Sequence, residues 1–65
     1  MNLTPKQIRD AKFIQDVACD RGISLDISEA YKHLKKIRKN CRNVGINTSI
    51  SGQAFYDECK EYFNN

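Results

Sequence analysis

Apolar residues recur at helical spacing in three stretches of this chain, and two glycines mark the breaks between them. In the first stretch Ile8, Ala11, Ile14, Val17 and Ala18 return every three or four positions, and Phe13 widens the stripe to one side. Thr4, Pro5 and Gln7 precede it: a side-chain cap, a residue suited to the first helical position, and the partner that completes a capping box. Gly22 follows the stretch, where glycine often ends a helix. The second stretch, Ile27, Ala30, Tyr31, Leu34, Ile37 and Cys41, is the cleanest amphipathic stripe of the chain. Asp26 can cap it, Glu29 stands three residues later, and the pattern fades across Asn40 to Asn43 before Gly45. In the third, Phe55, Cys59, Tyr62 and Phe63 share a face, with Asp57, Glu58, Lys60 and Glu61 on the other and Ser49 or Ser51 in place to cap.

The pattern therefore predicts helices over residues 4–21, 26–42 and 51–63. Ile46, Thr48 and Ile50 alternate with polar residues as in a strand, but no second strand is available to pair with them, so residues 45–51 are expected to be a loop. The expected fold is all-α: one three-helix domain over residues 1–65, its stripes packed on one another, with Leu3, Leu25, Ile46 and Ile50 closing the ends of the core.

Composition narrows the class. The 65 residues leave room for one domain, with 40% apolar and 29% charged residues. No stretch approaches the roughly 20 apolar residues of a membrane span. Met1 to Gln7 lack the regions of a signal peptide, so a cytoplasmic protein without a membrane partner is expected. Cys19, Cys41 and Cys59 are odd in number and widely spaced, which suits reduced thiols better than a disulfide framework.

Charge is distributed unevenly. Residues 26–45 hold six basic and two acidic side chains, whereas residues 46–65 hold one basic and three acidic. At about 100° per residue, Lys32, Lys35, Lys36, Lys39 and Arg42 fall on a contiguous arc of the second helix away from its apolar stripe, and Arg38 borders the arc. Such a face attracts phosphates, and it suits backbone affinity better than base reading, because lysine is a point charge rather than a planar fork. A solvated lysine face, in part neutralised by the acidic third helix, accounts for the same residues.

The passage Val17-Ala18-Cys19-Asp20-Arg21-Gly22-Ile23-Ser24 resembles the first helix and turn of helix-turn-helix proteins, in which a small residue lets two helices approach and a glycine takes the turn. The stretch from Ser28 to Arg38 resembles the recognition helix of some winged-helix regulators. This resemblance would bring Ser28, Glu29, Lys32, Lys35 and Lys36 toward a major groove, with Lys39 and Arg42 on phosphates. The sequence departs from the pattern at Ser28, where an aliphatic residue is expected, and residues 45–51 offer no wing. A plain helical hairpin explains Ala18 and Gly22 equally well.

Other chemistry is thinly represented. Cys19, Cys41, Cys59 and His33 are potential zinc ligands, but no close pair such as C-x2-C occurs, and no metal or cofactor is expected. His33 has no nucleophile or third group in its pattern, there is no glycine-rich phosphate loop, and no enzyme is expected. Phe13, Tyr56 and Tyr62 flank the stripes and are candidates for a protein-binding surface or a homodimer contact if the core does not absorb them. Two functions compete: a small regulatory module binding nucleic acid, DNA foremost, through the second helix, and an adaptor or inhibitor of a larger partner protein. In its brevity and single helical domain the chain resembles accessory proteins of phages and mobile elements.

Overall fold

The computed structural model describes residues 3–64; Met1, Asn2 and Asn65, the ends of the expected domain, lie outside it. Three helices follow one another: α1 (Pro5–Asp20), α2 (Ile27–Asn43) and α3 (Gln53–Tyr62), and no described residue is in a strand. The protein is a small all-α domain, with helix ends within two residues of those expected.

Local chemistry explains each boundary. Both predicted capping boxes form. The Thr4 hydroxyl accepts from the Gln7 amide while the Gln7 side chain accepts from the Thr4 amide, and Asp26 and Glu29 repeat the exchange at α2. The ends of α1 and α2 are also alike. Gly22 and Gly45 take positive φ of 76° and 77°. Behind them Ile23 N–H reaches the Ala18 carbonyl at 2.9 Å and Ile46 N–H reaches that of Cys41 at 2.8 Å. These are Schellman closures, which satisfy carbonyls left open at a helix end.

The start of α3 differs from expectation. Gly52 is its N-cap, without a side-chain bond. The Ser49 and Ser51 hydroxyls bond each other at 2.9 Å, and the Asn47 side chain accepts from Ser49 N–H, so the loop's polar groups are spent on its own turn. Ile46 and Ile50 instead pack against the core, which explains the strand-like alternation without a strand.

The core is the meeting of the three stripes: Ala11, Ile14, Val17 and Ala18 from α1, Ala30, Leu34, Ile37 and Cys41 from α2, and Phe55, Cys59 and Phe63 from α3 and its cap. Leu25 packs on one end of it, and its carbonyl accepts from the Gln15 amide at 2.9 Å. One polar residue is buried among the described ones, Asp10.

The α1–α2 connection runs from Arg21 to Asp26. Between the caps Arg21 and Asp26 lie the four residues Gly22 to Leu25. Ser28 is exposed, and Ile27 packs on the core in its place.

Candidate nucleic-acid interface

Because Ala30, Leu34, Ile37 and Cys41 turn one side of α2 into the core, its opposite side faces solvent. Lys32, Lys35, Lys36, Lys39 and Arg42 are all exposed there. They span eleven residues, a rise of about 15 Å at 1.5 Å per residue. Among the described residues none of the five has a carboxylate within ion-pairing distance; the ion pair present joins Arg38 to Asp10. The acids of α3 therefore do not neutralise the stripe. Asp57 accepts instead from Gln53 at 2.9 Å, on its own helix.

Two neighbours shape the margins of the stripe. The Lys35 ammonium lies 5.4 Å from the centroid of the Tyr31 ring, within range of a cation–π contact, and the Tyr31 hydroxyl accepts from the Gln7 side chain at 3.1 Å. On the other margin Glu29, Lys32, His33 and Lys36 line a shallow open recess of about 290 Å³.

Arg38 bordered the arc in the sequence. In the structure its guanidinium donates to the Asp10 carboxylate at 3.0 Å, which compensates a carboxylate whose side chain is only 7% exposed. A signal for this was present. Asp10 stands four residues before Ile14 and seven before Val17, in register with the apolar stripe, and a carboxylate there needs a partner. His33 also has a defined role. Its Nδ1 is hydrogen-bonded to the Tyr62 hydroxyl at 2.8 Å, and its ring packs edge-on against Tyr62 and Phe63.

The three aromatic candidates for a protein surface fall in two clusters. Phe13 stacks on Phe55 and contacts Tyr56, each with ring centroids 6.2 Å apart. Tyr62 belongs with His33 and Phe63. All three are half-buried and pack against the core. The large apolar side chain that is exposed, among the described residues, is Val44 at the end of α2.

The cysteines divide in the same way. Cys19 is exposed and Cys41 and Cys59 are buried, all as free thiols. Burial pushes the Cys59 thiol up to about 12, with the Cys41 and Glu58 charges adding to the rise, and burial raises Cys41 as well. No three His, Cys, Asp or Glu side chains converge as a metal site would need among the described residues. A recess of about 450 Å³ lies beside the C-terminal end of α1. Gln15, Asp16, Cys19, Ile23 and Leu25 help to line it, and His33 is not among its residues.

No helix of the described residues is long and apolar enough to cross a membrane. The chain has no significant match to a protein-family model, a curated protein or a solved structure.

Proposed function

We propose that this protein is a small, non-enzymatic regulatory module that binds nucleic acid through the solvent face of α2, with Lys32, Lys35, Lys36, Lys39 and Arg42 as its contacts. The observation that carries the reading is the state of those five cations: exposed, on one helix face, and free of carboxylate partners among the described residues. A stripe of cations with no ion-paired carboxylate among the described residues draws its counter-charge largely from salt ions in solution, and releasing the ions condensed on a polyphosphate drives its association.

The test is a titration of the full chain with a random-sequence DNA duplex and a single-stranded RNA, at low and at physiological salt. Micromolar binding that weakens steeply with salt is expected. The double substitution Lys35→Glu/Lys39→Glu should remove it, whereas Lys6→Glu/Lys12→Glu, an equal change of net charge on exposed positions of α1, should weaken it by less than threefold. Equal loss in both variants, or no binding at low salt, would overturn the proposal.

A second reading draws on Val44, 70% exposed at the C-terminal cap of α2. An exposed apolar side chain at the end of a cationic helix suits an acidic partner protein or a second copy of the chain, as in an adaptor or an inhibitor. Capture of a protein partner that is lost on Val44→Ser, by a chain that does not bind nucleic acid, would favour it.

A further inference from the structure

Resting on the nucleic-acid reading above, we infer that the ligand of α2 is the phosphate backbone of a duplex, bound without regard to base sequence. Three observations combine.

The first is which residues occupy the middle of the face. Buried Leu34 and Ile37 define the inner side of α2. At about 100° per residue, Lys32 and Lys39 lie opposite them, with Lys35 and Arg42 to one side and Lys36 to the other. A helix that reads bases keeps Arg, Asn or Gln on its central line and leaves cations for the margins, where phosphates run. Here the central positions are lysines, compact charges with no acceptor and no planar fork. Of the two arginines of α2, Arg38 is committed to Asp10 and Arg42 lies off the central line near the end of the helix.

The second is the density of charge. Five cations lie along about 15 Å of helix. A duplex carries about one phosphate per 3.4 Å of axis on each strand, so the same length runs beside about four phosphates of one strand. Cations and phosphates are thus nearly matched in number when α2 lies along a strand.

The third is where the aromatic rings are. A flexible single strand is usually held by stacking its bases on exposed aromatic side chains. The chain has three tyrosines and three phenylalanines, and every one is buried or half-buried. Phe13, Phe55 and Tyr56 pack together, as do Tyr62 and Phe63, while Tyr31 lies beneath Lys35 and bonds Gln7. The face offers a rigid row of charges and no stacking platform, which fits a ligand whose phosphates are already ordered.

The experiment measures fluorescence anisotropy of the full chain with 20-base-pair duplexes of AT-rich, GC-rich and mixed sequence, the matching single strands, and an RNA duplex, over a series of salt concentrations. Expected are affinities within threefold among the DNA duplexes and at least tenfold weaker binding of the single strands. The slope of log K against log salt should be about −3.6 to −4.5, as for four or five neutralised phosphates. Lys35→Gln/Lys39→Gln, which removes both charges and keeps polar side chains that favour a helix, should make the slope shallower by nearly two, with the helical circular dichroism unchanged. Binding of the RNA duplex, the DNA duplex or both supports the inference, and their ratio names the source of the backbone. Single strands bound as tightly as duplexes, or a preference beyond tenfold among the DNA sequences, would overturn it and leave the nucleic-acid reading standing. No binding of any nucleic acid at low salt would overturn both.

Discussion

The guanidinium of Arg38 on α2 donates to the carboxylate of Asp10 on α1 at 3.0 Å, across 28 residues of chain. This contact takes one of the two arginines of α2 away from the basic face and lets a carboxylate sit among the apolar residues of α1. Removing one partner leaves the other charge stranded, whereas removing both does not.

Arg38→Met should therefore destabilise the fold by about 2–3 kcal/mol, somewhat less than a fully buried pair costs when broken, because the Arg38 side chain keeps 25% exposure. Thermal melts should show it plainly in a domain whose whole stability is of order 3–10 kcal/mol. Asp10→Leu/Arg38→Met should melt closer to the wild type than Arg38→Met alone. Equal melting of the single and double variants would mean that the pair carries no coupling.

The same residue separates stability from binding. At a temperature where Arg38→Met stays folded, its affinity for a DNA duplex should fall by less than threefold, while Lys39→Gln should cost more. Measuring both variants at one salt concentration checks this, and a larger loss for Arg38→Met would place Arg38 among the binding residues.

Gly22 closes α1 with φ of +76°, and a Cβ added there meets no atom within 4 Å. The penalty for Gly22→Ala is then one of backbone conformation alone, about 1–2 kcal/mol for a left-handed L-residue. The melting temperature should fall by about 4–8 °C per kcal/mol in a domain of this size. Circular dichroism melts would reveal an unchanged melting temperature if the turn can be remade without the positive φ.

The buried thiols should be silent under native conditions. Iodoacetamide at neutral pH should add one group, on Cys19, and three only after denaturation, counted by mass spectrometry. Their raised pKa also predicts an alkaline loss of stability. The Cys59 thiol moves from 9.0 up to about 12 on folding. Below pH 9 both states keep the proton; between pH 9 and 12 only the unfolded chain releases it, so stability falls as pH rises, by about 1.4 kcal/mol per pH unit for this thiol. Urea titrations at pH 8.5 and 10.5 should show the decline, and Cys59→Ala should flatten it; equal slopes in both proteins would contradict the assignment to Cys59.

Local order was legible in the residues themselves. Thr4 with Gln7, Asp26 with Glu29, and Gly22 and Gly45 each act within one helical turn, and their chemistry sets the helix ends wherever the helices later pack. The spacing of Ile14, Val17, Leu34, Ile37 and Cys59 likewise decided which faces turn inward, since a 3.6-residue period leaves no other way to bury them together. The exposure of the five cations on α2 follows from the same period. Only the tertiary structure decided what crosses between helices: that Arg38 meets Asp10, that His33 bonds Tyr62, that Phe13, Tyr56 and Tyr62 are drawn onto the core, and that no carboxylate of α3 pairs with the lysines of α2 among the described residues. These outcomes depend on the angles and offsets at which the helices cross, set by the fit of whole side-chain surfaces rather than by any short run of residues.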